Sequence, residues 1–452
     1  MKRYSLIALY GFLLITIMMS GTAMTQEWKF YKFLDGHQSS VSCLDFFGER
    51  TESKESSYLV SGSQDGTGVI WNLKTGTILH TLGVSEKPIW CLAASPDGQK
   101  VAFGTDDSKI VLFNSWTGEK QATLTGHEGR IWGIAWDPSG RRLASCDDKG
   151  TALMWSIKTG EILHTMKSDI GDLVLGTVAI SPDGKIVAFT SRGDRIYLYD
   201  ATSGARIDVV PDLKEEPKTS AFSPDGKMFA TAGADKLVTI RSTGNWQIIR
   251  ELDGHTLTVK AVRWSADSRR LFSGGDDKKI IEWDVQSGQA LQTFSISKQY
   301  VNDIALCWAE HEWLLAAARP AGIEVFEPSL YRRLGGEKNI AALAGHFVDG
   351  LVTNEANKTN PAIKEAFAKV SKDELKKQVI TWLCSKTGGP QTYAGRSMKE
   401  AHQALNITEK EWGAMLEDLD KSLTKFRVPE KEAGELRAIV GTTRKEIVAG
   451  PK

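Results

Sequence analysis

One apolar strand pattern recurs seven times between residues 28 and 328, and this repeat restricts the fold more than any other feature. Each copy ends in a short strand such as Val69-Ile70-Trp71-Asn72 or Ile281-Glu282-Trp283-Asp284. The Trp-like positions are Trp71, Phe113, Trp155, Tyr199, Arg241, Trp283 and Phe326. The intervals between them are 42, 42, 44, 42, 42 and 43 residues. A fixed period of this length marks a radial or stacked array, because one small unit cannot bury its own faces and must bury them against its neighbours. A turn repeats in step with the strands. Ser95-Pro96-Asp97-Gly98 returns as Ser181-Pro182-Asp183-Gly184 and Ser223-Pro224-Asp225-Gly226. Looser copies are Asp137-Pro138-Ser139-Gly140 and Ser265-Ala266-Asp267-Ser268. Proline sets φ in this turn, and glycine supplies a residue free to take positive φ.

The repeat resembles the WD-repeat family over about 300 residues, with Gly36-His37, Gly126-His127 and Gly254-His255 as its Gly-His dipeptides. The resemblance implies an all-β, seven-bladed propeller over 28–328. It also implies that Trp28 to Leu34 closes the ring as the outer strand of the last blade, pairing around Gly322 to Phe326 and removing exposed sheet edges. A buried polar network within a repeat should use His37, Ser61, Asp65 and Trp71 in the first copy and His255, Ser273, Asp277 and Trp283 in the sixth. The third has His127, Ser145 and Trp155, but Lys149 stands where the Asp is expected. These histidines read as structural. The pairs Asp106-Asp107, Asp147-Asp148 and Asp276-Asp277 recur at one blade turn, so they read as repeat architecture and not as a carboxylate dyad. The propeller is expected to seat a protein partner.

Composition narrows the class further. The chain has 452 residues, 41% of them hydrophobic and 25% charged, which is ample for buried cores. Lys plus Arg and Asp plus Glu both number 56. A balanced charge argues against a nucleic-acid binder. The N-terminus carries Lys2 and Arg3, an apolar run from Leu6 to Met19, and then Gly21-Thr22-Ala23. That order is a secretory signal peptide over 1–23. The run is short for a bilayer span, so cleavage ranks above a membrane anchor. The chain is therefore expected to be exported to the periplasm or another extracytoplasmic space; an uncleaved segment would leave it on the inner membrane. Cys43, Cys91, Cys146, Cys307 and Cys384 are widely spaced and read as buried thiols, not as disulfides. No Cys-x-x-Cys-His is present, which excludes covalent c-type haem attachment.

After Pro328 the alternation of strands gives way to helical periodicity. Residues 329–452 hold 21 Lys plus Arg against 16 Asp plus Glu, with signs mixed as on solvated helix faces. Helices are expected over 337–352, 361–370, 372–386, 397–405, 409–426 and 430–447. Thr408 with Glu411 and Ser397 with Glu400 are capping-box patterns. Gly335-Gly336 and Gly388-Gly389-Pro390 break the helices.

This all-α segment resembles a group 1 truncated haemoglobin. The resemblance rests on Leu330 to Glu337, on the block Gly388-Gly389-Pro390, Tyr393, Gly395-Arg396, Met398 and Ala401-His402, and on Val428-Pro429. It implies a two-over-two helical fold around haem b, with His402 as the proximal iron ligand. Met398, His402 and Leu405 lie at i, i+4 and i+7, an apolar stripe with one nitrogen ligand. On the distal side Leu375, Gln378, Val379 and Trp382 form an apolar face with one hydrogen-bond donor, Gln378. Phe347 and Phe367 match wall positions of the family. Many members have a Tyr after the Phe at 347, whereas this chain has Val348. The other histidine of the segment, His346, is expected to be exposed.

Together these features describe an exported haem protein that binds or transports oxygen or another diatomic gas, with the propeller as an interaction scaffold. A scaffold whose globin-like domain has lost haem, and a peroxidase or nitric-oxide dioxygenase, are the alternatives. A haem enzyme would need a distal acid or base, and Gln378 is neither.

Overall fold

The computed structural model describes residues 28–47, 58–168, 175–191, 195–211, 213–296, 299–309 and 312–448. The signal-like segment 1–23 lies outside them. The described chain divides into two compact units, one over 30–327 and one that contains 328–448.

The first unit is a seven-bladed propeller. Each blade is a four-stranded antiparallel sheet whose strands follow chain order from the inside out, as in Val41–Phe47, Tyr58–Ser63, Thr67–Asn72 and Thr77–Gly83 of the first blade. The last blade differs. Its sheet runs Asp303–Ala309, Glu312–Arg319, Gly322–Pro328 and then Trp28–Leu34, so the first described strand closes the ring. In the first six blades the register shifts where the third strand meets the outer one, at the Trp-like position. The same turn geometry recurs at each Pro-Asp-Gly site. Ser95 Oγ donates to Asp97 and Gly98 takes φ 69°. Ser181 and Ser223 do the same with Asp183 and Asp225.

Three blades carry the polar network, the first with a threonine between histidine and carboxylate: His37 Nδ1 lies 3.0 Å from Thr67 Oγ1, which donates to Asp65 Oδ1 at 2.6 Å. Trp71 Nε1 donates to Ser61 Oγ at 2.8 Å, and Ser61 Oγ lies 2.8 Å from His37 Nε2. In the sixth blade the corresponding distances around Ser273 are both 2.8 Å, and His255 Nδ1 lies 3.0 Å from Asp277. Because a carboxylate only accepts, Nδ1 of His255 carries the proton, and the serine hydroxyl donates to Nε2 while accepting from the indole.

The third blade corrects the sequence reading. Its network is complete: His127 Nδ1 lies 2.8 Å from Asp147 Oδ2, His127 Nε2 2.6 Å from Ser145 Oγ, and Trp155 Nε1 2.7 Å from that oxygen. The carboxylate comes from two residues after the serine instead of four. Residues i and i+2 of a strand point to one face, so Asp147 reaches the histidine directly and Lys149 is not needed. Burial opposes the charge of Asp147, but hydrogen bonds from His127 and from the amides of Thr151 and Lys149 outweigh it and hold the carboxyl below its ordinary value. Burial is likewise outweighed at Asp65 and Asp277.

The second unit is helical. Its elements are α1 (Leu330–Arg333), α2 (Gly336–Thr353), α3 (Glu355–Thr359), α4 (Pro361–Lys369), α5 (Lys372–Thr387), α6 (Met398–His402), a 3₁₀ turn Gln403–Leu405, α7 (Glu409–Lys425), α8 (Glu430–Thr442) and α9 (Arg444–Ile447). Helix α2 is central and packs on both α5 and α7. Both predicted capping boxes form, at Ser397–Glu400 and Thr408–Glu411. The expected helix over 430–447 is broken into α8 and α9 at Thr443, and the short helices α1 and α3 were not foreseen. Among the described residues no helix is long and apolar enough to cross a membrane. Cys43, Cys91, Cys146 and Cys384 are buried, Cys307 is half-buried, and all five are free thiols.

Truncating Asp147 to Ala should destabilise the propeller by about 1–3 kcal/mol, whereas Lys149→Ala should change it by less than about 0.5 kcal/mol, as read by urea unfolding. Since all three network carboxyls are held below the ordinary aspartate value in the folded chain, their contribution is present above that ordinary value and is lost as pH falls through the lowered folded-state values. Equal losses in the two variants would remove Asp147 from the network.

Candidate functional site

The segment that presents His402 is shaped by two glycines and a cap. Gly388 ends α5 at φ 91°. A Cβ on Gly389 would lie 2.4 Å from Cδ2 of Tyr331, so no side chain fits there. The chain then runs through Tyr393, whose hydroxyl donates to the Arg396 carbonyl at 3.1 Å, into the box in which the Ser397 amide donates to Glu400 at 2.9 Å. That box starts α6, and His402 is its last residue.

His402 is half-buried, and its Nδ1 lies 2.8 Å from the Met398 carbonyl oxygen. A carbonyl only accepts, so Nδ1 bears the proton, and in the neutral ring Nε2 is left as a lone-pair donor. Burial lowers the imidazole pKa, the Met398 carbonyl opposes this, and the charge of Arg396 adds to the lowering. Among the described residues Nε2 has no hydrogen-bond partner. Anchoring one ring nitrogen on a backbone carbonyl fixes the tautomer and the direction of the other, which is what a metal-ligating histidine requires. No cluster of three or more His, Cys, Asp or Glu suited to a bare ion occurs among the described residues. A haem takes a single protein nitrogen on its proximal side, and this residue set fits one.

The expected wall residues fall into two groups. Phe347 and Trp382 are buried in the main apolar cluster of the unit, and Phe367, Val379 and Met398 pack against it. Val348 is fully buried on α2, and Leu375 is half-buried on α5. Gln378 is exposed, and its Nε2 donates to Glu374 Oε1 at 3.1 Å. His346 departs from expectation: it is half-buried, 2.9 Å from Ser422 Oγ, with Phe426 edge-on to its ring. Helix α7 covers it, a contact 76 residues away in sequence that periodicity cannot show.

The sequence reading missed the residues that brace this frame. Arg333 donates to Glu432 and Glu435 of α8, each at 2.6 Å, with the arginine side chain 3% exposed. Asp349 at the end of α2 accepts from Lys372 and Lys376 of α5, and these two ammonium groups bring its carboxyl down to about 2. The Asp349 cluster is exposed and adds little stability, while in the Arg333 group Arg333 and Glu432 are buried, so that losing one partner leaves an uncompensated buried charge.

The molecule is thus a β-propeller joined to a helical domain with one anchored, open imidazole. Residues 28–72, 76–114, 118–156, 218–241 and 246–284 match the family model for the WD domain, G-beta repeat, and residues 329–449 match that for bacterial-like globin. The chain is a WD-repeat propeller followed by a bacterial-like globin domain. It is 32% identical over 163 residues to Protein HIR1 of Phaeosphaeria nodorum, covering 31% of this chain and 15% of that protein. It is 31% identical over 140 residues to WD repeat-containing protein 1 of Xenopus tropicalis, covering 29% and 23%. With meiotic recombination protein rec14 of Schizosaccharomyces pombe it shares 33% over 109 residues, covering 24% and 36%. The chain spans no more than 36% of the length of these relatives.

Replacing Arg333 by Met should lower the stability of the helical domain by about 3–5 kcal/mol, because Glu432 is left buried without its partner. Lys358→Ala, which removes an exposed pair with Glu355, should cost less than about 0.5 kcal/mol. Urea unfolding followed by tryptophan fluorescence reads both.

Proposed function

We propose that this chain is a haem protein that binds a diatomic gas such as oxygen in its globin domain, with the propeller seating a protein partner. The observation that carries the reading is His402, with Nδ1 held by the Met398 carbonyl and Nε2 open, inside a segment that matches bacterial-like globin. Haem b, when bound, supplies the iron at which a gas ligand coordinates. The chain's own residues do the rest. His402 offers a neutral nitrogen in a fixed direction. Phe347, Phe367, Val379, Trp382 and Met398 keep water from the porphyrin faces, and Val348 and Leu375 extend that wall. Gln378 is the distal donor, and it must leave Glu374 to serve a bound gas. Gln378 is itself neither acid nor base, and reversible binding is therefore preferred here to peroxidase or nitric-oxide dioxygenase chemistry, with Glu374 engaged by Gln378. The partner role of the propeller is supported by the WD-repeat match and by likeness to WD-repeat proteins. Export with removal of residues 1–23 belongs to the same proposal and rests on their sequence.

The absorption spectrum tests the haem reading. The wild-type protein should show a Soret band that shifts with carbon monoxide after reduction, and His402→Ala should lose both the band's intensity and its normal shift. A protein that remains colourless after haem reconstitution would leave a scaffold with a haem-free globin fold. Mass measurement of the protein recovered from a secreting bacterium should give a chain that begins just after Ala23.

A further inference from the structure

We infer that the helical domain holds a second ligand site, for a single-chain aliphatic carboxylate. A cavity of about 410 Å³ opens between α2, α5 and the connection from α7 to α8. Ile340, Leu343, Leu383, Val428 and Leu436 make its apolar wall. None of the residues assigned to haem lines it. The hydroxyl of Thr387, also in the wall, is already spent on the Leu383 carbonyl at 2.7 Å.

Charge is confined to two guanidinium groups, and no carboxylate lines the cavity. Arg333 is matched by Glu432 and Glu435. Arg427 is exposed and has no ion pair or side-chain hydrogen bond among the described residues. Its backbone sits at φ 51°, a left-handed conformation that a long side chain rarely takes. The turn is held by the Val428 amide donating to the Leu423 carbonyl at 3.0 Å. It places an unmatched cation beside an apolar hole. Apart from the exposed amide of Asn339, the uncharged wall is apolar or spent, which suits an unbranched hydrocarbon, and the cation at its edge selects a carboxylate over an alcohol or amine. At about 410 Å³ the cavity has room for an alkyl chain.

The test is calorimetric titration of the full-length protein with laurate and with dodecanol, both below their aggregation limits. The readout involves no iron, so it stands whether or not the domain holds haem. Laurate should bind at one saturable site. Arg427→Gln should weaken laurate by about tenfold and leave dodecanol unchanged. Ala342→Trp, a substitution at an exposed lining position, should abolish binding of both. Unchanged laurate binding in Ala342→Trp, or none in the wild type, would overturn the site. Equal weakening of laurate and dodecanol in Arg427→Gln, or no weakening, would overturn the carboxylate contact.

Discussion

Hydrogen bonding between Trp28–Leu34 and Gly322–Pro328 joins the two ends of the propeller sequence, and the remaining blades depend on it. A four-stranded sheet of six-residue strands has two faces to bury and two edges to satisfy. Each blade buries its faces against the next one, so the ring has no free face only when the seventh blade meets the first. Supplying the outer strand of that blade from the other end of the sequence closes the circle by backbone hydrogen bonds. The inner strands then pack in a continuous ring, which the contacts between successive blades show.

Within that ring, the histidines that might invite a catalytic reading are already fully used. His127 and His255 each place one nitrogen on a serine hydroxyl and the other on a carboxylate. A buried network whose members are all satisfied rigidifies the blade and leaves no free nitrogen for chemistry. His402 in the helical domain is the opposite case. It has one nitrogen tied to its own helix and the other unclaimed. That contrast, and not the mere presence of histidine, separates the structural positions from the candidate ligand.

Much of this was legible in the sequence because the signals are local or periodic. The seven-fold spacing, the Pro-Asp-Gly turns, both capping boxes and the Gly388-Gly389 break all act over a few residues. The proximal candidate His402 was legible through its motif. Other features were hidden by distance. The Arg333 cluster joins residues about 100 apart, His346 meets Ser422 across helices, and the cavity edged by Arg427 is walled by four separate segments. The third-blade network was misread for a different reason. A fixed serine-to-aspartate spacing was assumed, although strand geometry lets Asp147 reach the same nitrogen from a nearer position.

The sequence by itself determined the number of blades, the identity of the closing strand, the helical character of the segment after Pro328 and, through its motif, the candidate histidine His402. These follow from period, turn chemistry and motif, which are properties of neighbours along the chain. The tertiary structure alone decided which carboxylate completes the third blade, which charges are buried together, and where an apolar cavity meets an unmatched arginine. Each of those depends on surfaces brought together by packing, and packing is not written in the spacing of neighbouring residues.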